Sequence, residues 1–441
     1  MQRYVPNTSA DRREMLAAIG RESVDELFSD IPTAIKERFH PLDLAPRSEL
    51  EVSARLAEMA AANVGSSLVP FLGGGVYDHY IPSVVSHIVS RSEFSTAYTP
   101  YQPEVSQGTL TAMFEFQTMT SELTGMEIAN ASMYDGATAL AEAALMAERI
   151  RGCKRIAVVR TLFPHLRRVL ETYAWASGVS LLELPYNLSG RGDFSDLPDE
   201  LSALIVQTPN AFGVIESLKG LKERIGDALL IVSAYPLSLG LLEPPGAFGA
   251  DVVVGEGQSL GLPMAYGGPM LGLFATRKAY LRQMPGRVAG QTVDAEGNVG
   301  YVMAAQTREQ HIRRGRATSN ICTNSALCAL AATVYLASVG GNGLRGVAEL
   351  NLEKAHALAE RITKLDRFDL AFDGPFFNEF VVRTTENPIA VKARLADAGF
   401  LVAQPADLAA LGVERGLRIA VTEKRTQDEI DRFVAVLGGS E

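Results

Sequence analysis

Three short apolar runs that lie close together constrain the fold of this 441-residue chain more than any other feature. They are Leu229–Val232, Val252–Val254 and Leu271–Ala275, and the segments between them hold turn-forming Gly and Pro residues with little charge. Continuous runs rich in Val, Ile and Leu are typical of strands buried on both faces of a largely parallel sheet. The chain is therefore predicted to contain a large α/β domain built on these strands.

Strands and helices alternate upstream of these runs. The predicted strands are Arg155–Val159, Leu181–Leu184 and Ala203–Gln207, and the predicted helices are Phe163–Ser177 and Ser217–Ile225. Such alternation predicts a parallel sheet with right-handed crossovers, whose ligands bind beyond the carboxyl ends of the strands. Thr208–Asn210, Ser233 and Gln258 are expected at that edge.

The remaining segments complete a three-part organisation. We predict an N-terminal helical arm over residues 1–70, a large α/β domain over 71–335, and a small C-terminal α+β domain over 336–441. Residues 341–346 match G-x-G-x-x-G, but they follow a predicted helix rather than a strand, so the dinucleotide-binding interpretation fails. They are predicted to form a turn that joins helices Cys322–Val339 and Leu344–Ile362.

Composition excludes several classes of function. With 41 basic and 51 acidic residues the net charge is -10, which disfavours binding to nucleic acid or to an anionic membrane. The N-terminus lacks the apolar core of a signal peptide, and no run is expected to reach the roughly 18 apolar residues of a membrane helix. Three cysteines and six scattered histidines show no metal-type spacing. We expect a reduced, cytoplasmic protein without a metal site.

Three polar segments are candidates for function. Pro100 and Pro103 fix an extended path that presents Tyr98, Tyr101 and Gln102, although a well-packed loop is the simpler alternative. Thr318, Ser319 and Asn320 could place hydroxyl and amide groups against a phosphate or a helix end. The amides of Gly136–Thr138 open a predicted helix and are suited to an anion, with an ordinary N-cap as the alternative.

The three opening strands resemble the cofactor strands of pyridoxal-phosphate enzymes of the aspartate-aminotransferase type (fold type I). In that superfamily the first strand ends in an Asp that pairs with the pyridinium nitrogen, and a Lys after the second forms the Schiff base. Here Ser233 and Gln258 stand at those positions, and no lysine occurs between Lys222 and Lys278. A carboxamide is too weak a nucleophile to form an imine, and a serine hydroxyl does not keep the ring nitrogen protonated.

Four long segments closely resemble one family, the glycine decarboxylase (P-protein) of the glycine cleavage system, and within it the alpha subunit (subunit 1) of the two-subunit bacterial form. They are GGGVYDHYIPSVVSHIVSRSEFSTAYTPYQPEVSQGTL, NASMYDGATALAEA, ADVVVGEGQSLGLPMAYGGPMLG and TREQHIRRGRATSNICTN. The resemblance runs along nearly the whole chain and implies a glycine dehydrogenase (decarboxylating) assembled as a heterodimer or heterotetramer. The other subunit would carry pyridoxal phosphate and capture glycine, and the aminomethyl group left after CO₂ departs would pass to the lipoyl arm of H-protein.

The resemblance also implies roles for the polar loops. No residue of this chain would be catalytic on its own. Tyr98, Tyr101 and Gln102 would line the pocket wall of the partner subunit or the path of the lipoyl arm. The group Thr318, Ser319 and Asn320 would approach the partner's cofactor phosphate.

Two alternatives remain open. One is a self-sufficient pyridoxal-phosphate enzyme that uses Lys278, the nearest lysine, although this residue lies beyond the strand that should present the amine. The other is a regulatory or scaffold pseudo-subunit with no direct role in an active site.

Overall fold

The computed structural model describes residues 6–40, 42–95 and 98–439. The chain divides into two compact units, Met1–Ser66 and Ser67–Glu441. The helices are α1 (Ser9–Ala18), α2 (Thr33–Lys36), α3 (Glu49–Ala61), α4 (Ser83–Val89), α5 (Gln107–Thr124), α6 (Gly136–Arg151), α7 (Pro164–Ser177), α8 (Leu221–Ile225), α9 (Gln310–Arg313), α10 (Ala326–Ile362), α11 (Pro388–Asp397), α12 (Pro405–Ala410) and α13 (Gln427–Gly438). The strands are β1 (Val69–Pro70), β2 (Ile128–Ala129), β3 (Arg155–Val159), β4 (Ser180–Leu184), β5 (Ala203–Thr208), β6 (Leu229–Ala234), β7 (Val252–Glu256), β8 (Gly272–Thr276), β9 (Val288–Val293), β10 (Val299–Ala304), β11 (Phe368–Leu370), β12 (Glu379–Thr384), β13 (Phe400–Leu401) and β14 (Gly416–Ala420).

The first unit is helical because short polar residues cap its helices. The Thr8 hydroxyl accepts a hydrogen bond from the Asp11 amide at 3.2 Å, and the Ser48 hydroxyl accepts one from the Glu51 amide at 3.3 Å. Such N-caps satisfy amides that have no partner within the helix. They set the starts of α1 and α3.

The large sheet has seven strands in the order β2-β8-β7-β6-β5-β3-β4. Strands β4, β3, β5, β6 and β7 are parallel, whereas β8 is antiparallel to β7, and β2 is antiparallel to β8. The three strands predicted from the opening apolar runs are confirmed as β6, β7 and β8. Strand β8 reverses direction because no crossover helix separates it from β7.

Both faces of the central strands of this sheet are covered, which explains why most of their positions are apolar. Ile205 and Ile231 pack in the cluster that contains Leu140 of α6 and Leu166 of α7. The intervening residues, such as Val206, point to the opposite face and pack in the cluster of α8. Burying one such side chain contributes about 1.5–3 kcal/mol to folding, so the paired clusters hold the strand ends rigidly.

A second, three-stranded antiparallel sheet has the order β11-β12-β14. Its core contains Phe380 and Ile419 from the strands, Leu358 from the second half of α10, and Phe433 from α13. This α+β region and the seven-stranded α/β sheet together confirm the predicted fold class. The predicted boundaries at 70 and 335 stay predictions; α10 runs through the second of them.

The predicted turn over residues 341–346 is wrong. Those residues are helical, and the break within α10 is confined to Gly340, whose φ of 60° and ψ of -179° interrupt the helix at one residue. Contrary to the sequence prediction, α10 is long and apolar enough to span a membrane by length and composition. Its buried side chains, among them Ala332, Tyr335 and Leu358, instead pack in the cores of the chain.

Candidate functional site

A small cavity lies at the carboxyl ends of β5, β6 and β7, where ligands bind in parallel α/β folds. Its volume is about 40 Å³. The lining residues are Gly75, Tyr77, Gly136, Phe163, His165, Leu166, Gln207, Pro209, Ser233, Ala234, Tyr235 and Glu256. The predicted edge is therefore confirmed for Pro209 and Ser233, and Gln258 lies two residues beyond the lining Glu256. Asn210 instead turns inward, where its side-chain amide donates to Glu216 Oε1 at 2.7 Å.

Gln258, which is predicted to stand at the position of the Schiff-base lysine, is 1% exposed, and its side chain bonds to the backbone. Its Oε1 accepts a hydrogen bond from the Tyr77 amide at 3.0 Å. Its Nε2 donates to the Tyr77 carbonyl at 3.1 Å and to the Leu262 carbonyl at 2.7 Å. The carboxamide thus acts as a structural crosslink between two distant segments.

Ser233, which is predicted to stand at the position of the pyridinium Asp, is buried near the end of β6 and lines the cavity. Its neighbours in register are Gln207 on β5 and Val254 on β7. No carboxylate stands at this position, so a cationic ring nitrogen here would lack its counter-charge.

The start of α6 holds two carboxylates of the chain itself. The Thr138 amide donates to Asp135 Oδ1 at 2.8 Å, and the Gly136 amide donates to Glu256 Oε2 at 2.9 Å. Glu256 Oε1 also accepts from the amides of Gln258 and Leu271, at 3.0 and 2.9 Å. Burial raises the pKa of Glu256 to about 7, although these backbone hydrogen bonds oppose the shift. The predicted anion position is therefore filled from within, which agrees with the N-cap alternative.

A buried network of rings and charges closes the other side of the cavity. The Tyr77 hydroxyl donates to Glu379 Oε2 at 2.6 Å, and Arg418 Nε lies 3.1 Å from Glu379 Oε1. Burial raises the pKa of Glu379, and the charge of Arg418 opposes this shift. The ring centroids of Tyr77 and Tyr235 are 4.7 Å apart, so aromatic side chains occupy much of this space.

His79 extends the network toward the small sheet. Its Nδ1 lies 2.8 Å from Glu423 Oε2, and its Nε2 contacts the Tyr235 hydroxyl. Burial alone would raise the pKa of Glu423, but the hydrogen bond and charge of His79, with hydrogen bonds from the Tyr80 amide and Asn351, lower it to about 2. These contacts give His79 a structural role in the core.

The cofactor of the fold family does not fit these residues. The residues that line the cavity include no lysine, Ser233 offers no charge, and the Gly136 and Thr138 amides at the start of α6 are bonded to Glu256 and Asp135. The cavity volume of about 40 Å³ is well below the roughly 300–1,000 Å³ of pockets that hold small-molecule ligands and cofactors. We call this arrangement of Tyr77, Ser233, Glu256, Gln258 and Glu379 the closed edge.

Lys278 lies at the opposite edge of the sheet. It follows β8, whose last residue, Thr276, pairs with Val252 at the start of β7. Ser233 and Gln258 lie at the other ends of the neighbouring strands. Lys278 is exposed there, and its amide donates to Glu127 Oε2 at 2.6 Å. The geometry disfavours the alternative in which Lys278 serves the cavity.

Three of the six predicted loop residues lie around a second polar centre, Arg287, which the sequence prediction missed. Arg287 Nη2 donates to the Tyr101 hydroxyl at 3.1 Å, and its guanidinium carbon lies 5.3 Å from the centre of that ring. The Tyr101 hydroxyl in turn donates to Glu309 Oε2 at 3.4 Å. These contacts join positions up to 208 residues apart, which no local sequence pattern could have shown.

The other five predicted residues fall into two groups, one near Arg287 and one at the surface. Thr318 and Ser319 line a cavity of about 10 Å³ together with Arg287 and Glu309. Asn320 is exposed and lines a different cavity, of about 470 Å³, between α6 and α7. Tyr98 is 75% exposed, and Gln102 is exposed as well. The structure thus brings Tyr101, Thr318 and Ser319 together and leaves Tyr98, Gln102 and Asn320 at the surface.

Comparison with solved structures identifies the fold. The apo structure of cysteine desulfurase from Thermococcus onnurineus NA1 superposes with a TM-score of 0.61 at 17% sequence identity, covering 85% of this chain and 94% of that chain. At this identity the likeness concerns the fold alone. The chain has the pyridoxal-phosphate-dependent fold type I predicted from its sequence.

Closer matches identify the family. A family profile described as glycine cleavage system P-protein matches residues 2–437. The probable glycine dehydrogenase (decarboxylating) subunit 1 of Thermomicrobium roseum is 50% identical over 444 residues, with 98% of each chain covered. A crystal structure of glycine decarboxylase (P-protein) of the glycine cleavage system, in inhibitor-bound form, superposes with a TM-score of 0.92 at 44% identity, covering 99% of this chain and 100% of that chain. The chain therefore belongs to the glycine cleavage system P-protein family, where it groups with the proteins described as subunit 1 of glycine dehydrogenase (decarboxylating).

Proposed function

We propose that this chain is the subunit of glycine dehydrogenase (decarboxylating) that holds no cofactor of its own and acts with a second subunit that carries pyridoxal phosphate. The pair decarboxylates glycine in the cytoplasm and transfers the aminomethyl group to the lipoyl arm of H-protein. Pyridoxal phosphate on the second subunit supplies the electron sink for decarboxylation. One observation carries the proposal: Gln258, predicted at the position of the Schiff-base lysine, is a carboxamide bonded to the backbone, and Glu256 accepts a hydrogen bond from the first amide of α6, that of Gly136.

The contribution of this chain is then made by its loops. Tyr98, Tyr101 and Gln102 line the partner's pocket wall or the path of the lipoyl arm, while Thr318, Ser319 and Asn320 approach the partner's cofactor phosphate. Exposed phenol and amide groups on a rigid base support this assignment, since binding groups are commonly carried by loops on a rigid scaffold.

Reconstitution tests the proposal. This chain, the homologous lysine-bearing subunit, and an equimolar mixture are each supplied with pyridoxal phosphate, glycine and lipoylated H-protein, and CO₂ release is measured. We expect CO₂ release from the mixture only, and no visible absorbance band from this chain with pyridoxal phosphate.

Two results would overturn the proposal. Covalent pyridoxal phosphate on this chain, or glycine turnover by this chain alone, would show that the closed edge does not exclude the cofactor. Full activity of the lysine-bearing subunit alone would favour the regulatory or scaffold pseudo-subunit instead.

A further inference from the structure

Two loops that are distant in sequence lie against the same arginine. We call residues 98–102 the tyrosine loop and residues 318–323 the threonine loop; together they contain all six residues predicted to face the partner. Arg287 Nη1 donates to the Thr99 hydroxyl of the tyrosine loop at 2.9 Å and to the Thr323 hydroxyl of the threonine loop at 2.8 Å. Arg287 Nη2 donates to the Tyr101 hydroxyl at 3.1 Å and to the Cys322 carbonyl at 2.6 Å. Each terminal nitrogen therefore bonds to both loops.

Arg287 itself is held in place by the fold. It immediately precedes β9, and its carbonyl accepts a hydrogen bond from the Ala131 amide at 2.8 Å. Ala131 lies between β2 of the large sheet and α6. The guanidinium thus projects from a backbone that is anchored to the core, while the loops it contacts contain no strand or α-helix.

The charge of Arg287 makes these contacts strong. The residue is 4% exposed, and Glu309 Oε2 lies 3.5 Å from its Nε. A buried charge is costly unless its hydrogen bonds are satisfied, and hydrogen bonds from a charged donor are about twice as strong as neutral ones. Release of either loop would leave part of the guanidinium without partners. The loops are therefore fixed relative to each other.

We propose that Arg287 is the positioning residue that fixes the tyrosine loop and the threonine loop as one surface facing the partner subunit. In the tyrosine loop, the Arg287 partners Thr99 and Tyr101 are adjacent in sequence to Tyr98 and Gln102. In the threonine loop, the partners Cys322 and Thr323 closely follow Asn320. The positions of the exposed side chains of both loops therefore depend on one arginine side chain. This inference rests on the proposed function, because it gives the loops a task in the partner's active site. Arg287 does not itself touch the substrate.

Lysine cannot replace arginine in this role. An ammonium is a compact charge on a flexible stem, whereas the planar guanidinium holds several acceptors in a fixed geometry. Arg287→Lys keeps the charge near Glu309 but cannot reach the four loop oxygens at once, and Arg287→Met removes the charge at similar length. Arg425→Lys is the matched control, since Arg425 is equally buried, binds Asp78 at 2.9 Å, and contacts neither loop.

The experiment uses the reconstituted pair with lipoylated H-protein. Both Arg287 variants should lower kcat by about tenfold or more, because small displacements of positioning groups carry large losses in rate. The absorbance change of the partner-held cofactor on addition of glycine should shift as well, while the affinity for the partner, measured by calorimetry, changes less than about threefold. Arg425→Lys should leave kcat within about twofold. In a double-mutant cycle, Arg287→Lys and Tyr101→Phe should be non-additive, since they share a contact.

The possible outcomes distinguish a failure of this inference from a failure of the proposed function. If the Arg287 variants keep wild-type kcat and cofactor spectrum while Tyr98→Ala does not, the inference is wrong and the proposed function stands. If the partner alone is fully active, the proposed function fails whatever the variants do. Should Arg287→Met fail to fold by thermal melting, Arg287→Lys and Thr323→Val decide, and wild-type kcat in both would overturn the inference.

Discussion

At the closed edge, polar side chains bond to one another and to the backbone: Gln258 to Tyr77 and Leu262, and Glu256 to the start of α6. Around Arg287, polar side chains form a buried base from which Tyr98 extends, 75% exposed. Both regions combine aromatic, amide and charged groups at the ends of well-packed elements. The difference lies in where hydrogen-bonding capacity remains. At the closed edge the side chains of Tyr77, Glu256, Gln258 and Glu379 are bonded within the chain, whereas Tyr98 and Gln102 of the loop are exposed.

The largest expected effect is the loss of stability that follows when the buried ion pair between Arg418 and Glu379 is broken. Arg418→Met leaves Glu379 without its cation, 2% exposed on its side chain. Removing one member of a buried pair costs about 3–5 kcal/mol, so the urea midpoint at pH 8 should fall strongly. Arg361→Met is the control, because Arg361 pairs with Asp431 at the surface, where such a pair contributes about 0.2–1 kcal/mol. Equal losses in the two variants would contradict a closed, dry edge.

The second expected effect is the pH dependence of the contribution that Glu256 makes to the free energy of unfolding. Its pKa is raised from 4.5 to about 7 by burial, so between these values the folded chain keeps a proton that the unfolded chain releases. The stability that this carboxyl contributes is therefore complete below pH 4.5 and is lost as the pH rises through about 7. At about 1.4 kcal/mol per pH unit, the loss is about 3 kcal/mol.

Glu256→Gln should remove this dependence. The free energy of unfolding of the variant minus that of the wild type should increase by about 3 kcal/mol between pH 4.5 and 7.5, as measured by urea denaturation at several pH values. Glu423 does not interfere, since its pKa of about 2 places its titration below this range. The exposed Glu223→Gln variant shows the change caused by a surface substitution. A difference that stays flat for Glu256→Gln would mean that water reaches the helix start.

The third effect concerns the loops. Tyr98→Ala should reduce kcat of the reconstituted pair by about tenfold, in the range of the losses seen when a positioning group is removed, with no change in the urea midpoint, because the side chain is exposed. Leu188→Ala is the control, since Leu188 is 97% exposed on a different connection. Undiminished turnover of the Tyr98→Ala variant would show that this residue does not act in the partner's pocket. Tyr98 would then, like the side chains of the closed edge, have no role toward another molecule.

Most of the fold could be predicted because its signals are local. The apolar runs of β6 and β7 reflect burial on both faces, and the caps at Thr8 and Ser48 are visible within four residues. The turn over 341–346 was predicted wrongly because the break between the two halves of α10 needs only one residue, Gly340, and residues 341–346 continue in helical conformation.

Less of the two sites than of the fold could be predicted from the sequence. The resemblance to a family predicts that Gln258 and Ser233 replace the Schiff-base lysine and the pyridinium Asp, and this assignment stays a prediction. What fills the space could not be seen, since Glu379 reaches Tyr77 across 302 residues and Arg287 reaches Tyr101 across 186. Such contacts depend on tertiary structure and leave no periodic pattern in the chain.

The smallest expected effect tests whether the missing amine or the filled cavity keeps the cofactor from this chain. Gln258→Lys restores an amine at the Schiff-base position, yet Glu256 still holds the Gly136 amide and Ser233 still lacks a charge. The substitution would also remove the three hydrogen bonds of the carboxamide side chain. We therefore expect no covalent pyridoxal phosphate after borohydride reduction and mass spectrometry, as in the wild type. Labelling of the Gln258→Lys variant would show that the missing amine alone keeps the cofactor from this chain. An unlabelled Gln258→Lys variant, together with labelling of a Gln258→Lys, Ser233→Asp, Glu256→Gly triple variant, would show that the closed edge does.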